Sequence, residues 1–396
     1  MAELARAATA AALSLALALP LAGTAVAAPE RPAATVQPAA AAVPADTLQL
    51  PRPTGPYAVG RSTKHLVDRS RTDPWTPTAD GRELMVTLHY PAARAGDGRT
   101  ARYSTVEEAA LLAKGQGIEA LVPAERLSAT RTHGLVGARP AKGKHPLVIL
   151  SPGFTVSRYT QTNLAEDLAS RGYVVASLDH AYESYGISLP GGRTLTCAAC
   201  PVLESDWTKG SVVTATRAAD VSYVLDRLTG KNPVWRHAGV IDGKRVGMAG
   251  HSIGGASAAT AMARDRRVDA GVNMDGSFWE ELPAEGLRGR PFMMLGTDDD
   301  IHRPGGKDTT WDRMWPTLDG WKRWLTVAGS DHFTFSDGPL ISHHFGLPEP
   351  PLPATRAVAV TRDYVAAFFD QHLRGEPQPL LSGPTAANPE VKFHNP

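Results

Sequence analysis

The stretch Arg245–Ser257, RVGMAGHSIGGAS, decides the fold. An apolar run leads up to Gly250, and a run of small residues opens after Ile253. Between them Gly250-His251-Ser252-Ile253-Gly254 fits G-x-S-x-G. A strand that turns at once into a helix is the context in which this pattern exposes a nucleophilic serine. The turn is tight enough that side chains at the flanking glycines would clash. It lifts the Ser252 hydroxyl above the carboxyl edge of a sheet, beside a helix N-terminus that favours negative charge. The plainer alternative is a Gly-rich turn carrying an inert serine.

Working outward, apolar runs of strand length alternate with segments of helical period. HPLVILSPGF (145–154) is a continuous apolar run stopped by Pro and Gly, as suits a buried parallel strand. ELMVTLHYPA (83–92), YVVASLDH (173–180), DAGVNMD (269–275), PFMMLG (291–296) and RWLTVAG (323–329) read as further strands. Helices are expected over 162–172, 211–230, 254–265 and 355–375; in the second, Ala218, Val221, Val224, Leu225 and Leu228 recur at helical spacing. This order predicts an α/β fold, a mainly parallel doubly wound sheet flanked by helices on both faces. Residues 93–140 read as an irregular insertion with a helix near VEEAALLAK (106–114).

The chain has 396 residues, a net charge of +1 and 42 % hydrophobic residues. That balance offers a nucleic acid nothing to hold, and the apolar fraction supports a sizeable core. Residues 1–28 read as a signal peptide. The apolar run Ala7 to Leu21 is short for a membrane span and ends in Ala25-Val26-Ala27, a small-x-small cleavage pattern, although Glu3 offsets Arg6 before it. Residues 29–52, rich in Ala and Pro, read as a disordered lead-in. The catalytic domain is expected over 53–376 and a tail over 377–396. Export makes a disulfide between Cys197 and Cys200 plausible, as a local staple in a loop rich in Pro and Gly.

A serine nucleophile needs a base, and the base needs an orienting acid, in the chain order Ser, acid, His. His332 follows the last expected strand through Gly329, where a loop can return it over Ser252. His343 and His344 lie farther along, His302 precedes that strand, and His251 adjoins Ser252 inside the turn. The oxyanion hole calls for the backbone N–H of Ile253 and one from the SPGF loop, Phe154. The acid has two candidate places at the carboxyl edge: Asp275, and the run Asp298, Asp299, Asp300. Position alone leans to the later strand, hence Asp298.

The segments GHSIGG (250–255), VNMDGSFW (272–279), GSDHFTFSD (329–337) and VDRSRTDPW…RELMVTLHYPA (67–92) resemble the platelet-activating-factor acetylhydrolase family of α/β-hydrolases, over about residues 55–375. The resemblance implies an α/β-hydrolase fold and a metal-independent esterase, without a cofactor, that cleaves short or oxidised acyl esters. It implies Asp275 as the acid, with His332 as base and Phe154 and Ile253 as oxyanion donors. The chain is also similar to secreted bacterial lipases and cutinases, in which the acid sits one strand later, at GTDDD (296–300); Asp298 stays the alternative. The reading is therefore a secreted serine esterase acting on a small-molecule or lipid ester. Its rivals are a lipase or cutinase acting on longer or polymeric esters, and a non-catalytic lipid-binding protein of the same fold.

Tyr182, Tyr185 and Trp279 are candidate walls of the substrate pocket. Trp311, Met314, Trp315 and Leu318 share one helix face, as core packing against the sheet or as an apolar rim in transient contact with a lipid surface; Pro316 weakens the helix. The three aspartates could supply part of a structural calcium shell, but calcium takes six to eight oxygens and the chemistry needs no metal.

Overall fold

The computed structural model describes residues 46–93 and 98–394. The expected signal peptide lies outside them, as does most of the lead-in. Strands β1 (Ala58–Asp68), β2 (Arg82–Ala92), β3 (Thr100–Arg102) and β4 (Arg131–Val136) come first, with α1 (Val106–Gly115) and α2 (Ala124–Ser128) between β3 and β4. Then follow β5 (His145–Ser151), α3 (Thr162–Ser170) and β6 (Val174–His180). A small ribbon of β7 (Ile187–Ser188) and β8 (Thr194–Leu195) precedes α4 (Cys200–Ser205) and α5 (Gly210–Thr229). The second half runs β9 (Ile241–His251), α6 (Ile253–Arg264), β10 (Ala270–Met274), β11 (Phe292–Thr297), α7 (Thr309–Thr317) and β12 (Lys322–Val327). It closes with α8 (Gly338–Phe345), α9 (Ala354–Arg374) and β13 (Val391–Phe393).

The main sheet has the order β13-β12-β11-β10-β9-β5-β6-β2-β1-β4-β3. From β12 to β6 its six strands are parallel, and β2 joins β6 antiparallel. This is the α/β-hydrolase fold. Strand periodicity sends alternate residues of β5 to opposite layers. Leu147 and Ile149 pack with Val221, Val224 and Met262 under α5 and α6. Val148 and Leu150 pack with Leu168, Phe368 and Phe369 under α3 and α9. Each such apolar side chain, fully buried, contributes roughly 1.5–3 kcal/mol of transfer free energy.

The edges differ from expectation. Residues 93–140 supply two strands of the sheet as well as the expected helix, and β1 adds a long strand that its polar residues concealed. Leu48 and Leu50, expected in the lead-in, are buried with Leu112, Leu127 and Ile341, so ordered chain begins before residue 53. The expected tail returns to the sheet. β13 pairs antiparallel with β12, and Arg356 binds Glu390. Trp311, Met314, Trp315 and Leu318 are all buried against the sheet, which is the packing alternative and not an exposed rim. Pro316 falls in the last turn of α7, where the helix ends regardless.

Candidate active site

Sheet register brings the site together before any side chain does. His251 of β9 stands opposite Met274 of β10, so Ser252 and Asp275 leave neighbouring parallel strands at the same level. Ser252 sits between β9 and α6 at φ 55° and ψ −132°, a conformation costly for a residue with a side chain. The glycines around it explain how the turn closes. A Cβ on Gly250 would overlap the backbone of Gly254, and one on Gly254 would overlap the carbonyl of Ser151.

Asp275 also has positive φ, 60°, and its carboxylate is buried. Its Oδ2 lies 2.6 Å from His332 Nδ1. Its Oδ1 accepts the Thr297 N–H at 2.7 Å and stands 3.1 Å from His302 Nδ1. Burial alone would raise the Asp275 carboxyl; hydrogen bonds from His302 and His332 outweigh it and hold the group well below the usual carboxylate range. The turn after Asp275 is braced by Asn273, whose side chain both accepts from and donates to the backbone of Gly276. Trp311 adds an indole N–H to the Gly276 carbonyl at 2.8 Å.

His332 enters from the loop after β12 and is half-exposed. Its ring lies 4.7 Å from that of His251, the neighbour of Ser252, and the buried His251 Nε2 donates to the His332 carbonyl at 2.6 Å. Farther along this loop Asp337 ties it down: its N–H donates to Thr160, and its carboxyl accepts from Tyr103 and from the Asn163 N–H. Burial pushes the Asp337 carboxyl up to about 8. The folded protein therefore holds a proton that the unfolded chain releases near pH ~4. The resulting stability is fully present below that lower value and is lost as pH rises through about 8. Asp337→Asn should flatten the fall in Tm over this window in thermal unfolding; an unchanged pH slope would show that Asp337 is ionised in the fold.

Asp298, the alternative acid, turns elsewhere. Its carboxylate binds Arg303 and Lys392 and accepts from Thr326. Asp299 accepts the N–H groups of Ile301 and His302, and Asp300 pairs with Lys307. Each of the three carboxylates thus has a nearby donor of its own.

Phe154 and Ile253 pack together with Trp75, Cys197 and Trp279 over the buried Ala199, Leu203 and Val213. Cys197 and Cys200 form a disulfide at the start of α4. The Phe154 loop is fixed from below: Arg217 donates to the Pro152 carbonyl at 2.5 Å and binds Glu183, while Thr155 N–H donates to the Glu183 carbonyl. Tyr185 packs against Gly115 beneath α1, and Tyr182 against Met85, Ile187, Leu189 and Leu195. Both tyrosines are partly buried in these contacts. Trp279 alone of the three lies beside Ile253, with Trp207 stacked on it at 6.1 Å. A separate apolar pocket of about 240 Å³ opens between His251, Asp331, Phe333, Val156, Leu112 and Ile341. Sequence reasoning missed this pocket, because its walls come from five separate stretches, and it missed Asn273, Arg217 and the contact of His302 with Asp275.

Comparison with known proteins agrees with this architecture. Residues 43–190 match the family model of platelet-activating factor acetylhydrolase, isoform II, a segment that contains Phe154 and ends before Ser252. A probable 1-alkyl-2-acetylglycerophosphocholine esterase of Arthroderma benhamiae is 29 % identical over 397 residues, covering 89 % of this chain and 95 % of that one. The platelet-activating factor acetylhydrolase of Cavia porcellus is 25 % identical over 231 residues, 52 % of each chain. The solved ferulic acid esterase of Streptomyces cinnamoneus is 45 % identical, with a TM-score of 0.79, over 88 % of this chain and 99 % of that one.

Proposed function

This chain belongs to the platelet-activating-factor acetylhydrolase-like family of α/β-hydrolase esterases, and on that premise we propose that it is an exported serine esterase whose triad is Ser252, His332 and Asp275. The observation that carries this reading is the 2.6 Å contact of Asp275 with His332, beside a serine strained at positive φ.

In this reading the Ser252 hydroxyl attacks the ester carbonyl while His332 Nε2 takes its proton. Asp275 holds the other ring nitrogen, fixes the tautomer and stabilises the imidazolium. The N–H groups of Ile253 and Phe154 receive the negative charge that develops on the carbonyl oxygen. His332 then protonates the departing alcohol. Water, activated by the same histidine, attacks the acyl-enzyme and releases the acid and Ser252.

The substrate class we propose is a short or oxidised acyl ester. It is favoured by the two curated relatives above, which are named for acetyl-ester substrates. Export rests on the small-x-small site at 25–27, which lies in the segment before the described fold. A series of p-nitrophenyl esters from acetyl to palmitoyl tests the substrate reading. The expected result is a kcat/KM that is greatest for the shortest chains. A maximum at long chains, or turnover of an insoluble polyester above that of the acetyl ester, would replace it with the lipase or cutinase reading.

A further inference from the structure

Asp275 is held by two histidines, and the proposed mechanism uses only one. His302 is buried, and it returns from the loop after β11 so that its Nδ1 stands 3.1 Å from Asp275 Oδ1. On the far side its Nε2 lies 3.7 Å from Oδ2 of Asp308, the residue that caps α7. The order is therefore His332, Asp275, His302, Asp308, each imidazole next to a carboxylate.

The ring of His302 is fixed in place. It packs on Trp311 at 4.7 Å, and its carbonyl accepts the Trp324 indole N–H at 2.8 Å. Its own N–H donates to Asp299. Gly296 opens the space in which these groups meet: a Cβ there would come 3.1 Å from Asp275 Oδ1, 3.2 Å from His302 Cβ and 2.8 Å from Trp311. Such a clamp has a consequence for Asp275. A carboxylate held at one oxygen alone can rotate about its Cβ–Cγ bond. With Thr297 N–H and His302 on Oδ1, the second oxygen is aimed at His332.

We propose that His302 is a positioning residue of the hydrolysis: it fixes the triad acid and shares its charge, so setting how strongly Asp275 holds the His332 imidazolium. This rests on the triad reading above. The charged groups that face His302 are Asp275 from the end of β10, Asp308 from the cap of α7 and Asp299 from its own loop. Trp311 and Trp324 bring no charge.

Two variants separate positioning from bulk. In His302→Asn the side-chain amide N–H reaches the place of Nδ1. In His302→Gln it reaches the place of Nε2 and leaves Asp275 Oδ1. We expect H302Q to lose roughly 10–100-fold in kcat, the range that follows removal of outer hydrogen-bond partners in metal sites. KM should be unchanged, since a buried ring does not meet substrate. With less of its charge shared, Asp275 would hold the imidazolium more tightly, so the acidic limb of the pH–kcat/KM profile should move to higher pH. H302N should keep most of the wild-type kcat. Equal kcat and equal limbs in H302Q and the wild type, or equal losses in H302Q and H302N, would overturn the inference. Ser252→Ala measured alongside keeps the two levels apart. Activity in S252A removes the triad reading itself, whereas an inactive S252A with a wild-type H302Q removes only the role of His302.

Discussion

Replacing Ser252 by alanine is expected to lower kcat on a p-nitrophenyl ester by a factor on the order of 10⁶, the size seen when a triad nucleophile is deleted. The loss should come without unfolding. Ser252 stands at φ 55°, where alanine is strained much as serine is, and its backbone bonds do not involve the hydroxyl: its N–H donates to the Met274 carbonyl at 2.7 Å and its carbonyl accepts from Gly255. Tm should therefore change little. Any residual rate would reflect binding and the N–H groups of Phe154 and Ile253 acting on a water attack. A variant that stays folded and retains even a tenth of the activity would mean that another group is the nucleophile.

The second large effect concerns the acid. Asp275→Asn is expected to lower kcat by about 10⁴-fold, because an amide facing His332 Nδ1 favours the tautomer that cannot take the serine proton. The same change at Asp298 should leave kcat within a few-fold of wild type. Asp298 is occupied by Arg303, Lys392 and Thr326, so its replacement should weaken the β11–β13 edge and appear as a lower Tm instead. Paired measurement of kcat and Tm on both variants distinguishes them. A large kcat loss in D298N with D275N near wild type would reverse the assignment of the acid.

The two aspartates also show what a linear sequence conceals. Both follow a strand at the carboxyl edge, and position alone leaned to Asp298. What separates them is the direction in which each carboxylate leaves its strand. Asp275 emerges at positive φ beside Ser252, with Thr297 and His302 to hold it. Asp298 leaves one strand farther out, facing Thr326 and the returning β13. Lys392 and His394, which complete that environment, lie in what composition marked as a tail. His302 was hidden for the same reason: its five-residue distance from Thr297 says nothing of a loop that folds back over Gly296.

The central strands were legible because they are buried on both faces. β5, β6, β10, β11 and the later parts of β9 and β12 are buried, largely apolar runs, and each is a parallel strand of the sheet. β1 was not legible, since AVGRSTKHLVD mixes polar residues into an antiparallel strand near the sheet's edge, where one face meets solvent. β3 and β13 are three residues each, too short to show a period. Tyr182 and Tyr185 show how little a strand end says about the direction of a side chain. They follow β6 at the carboxyl edge, and their rings turn into packing clusters, while Trp279, which follows β10, lies beside Ile253.

In the proposed mechanism Ser252 is the nucleophile and His332 activates it. The most direct test is covalent labelling with a fluorophosphonate, followed by peptide mapping of the wild-type protein. One phosphonylated peptide is expected, with the adduct on Ser252. An intact, folded protein that takes up no label, or takes it up at another residue, would contradict it.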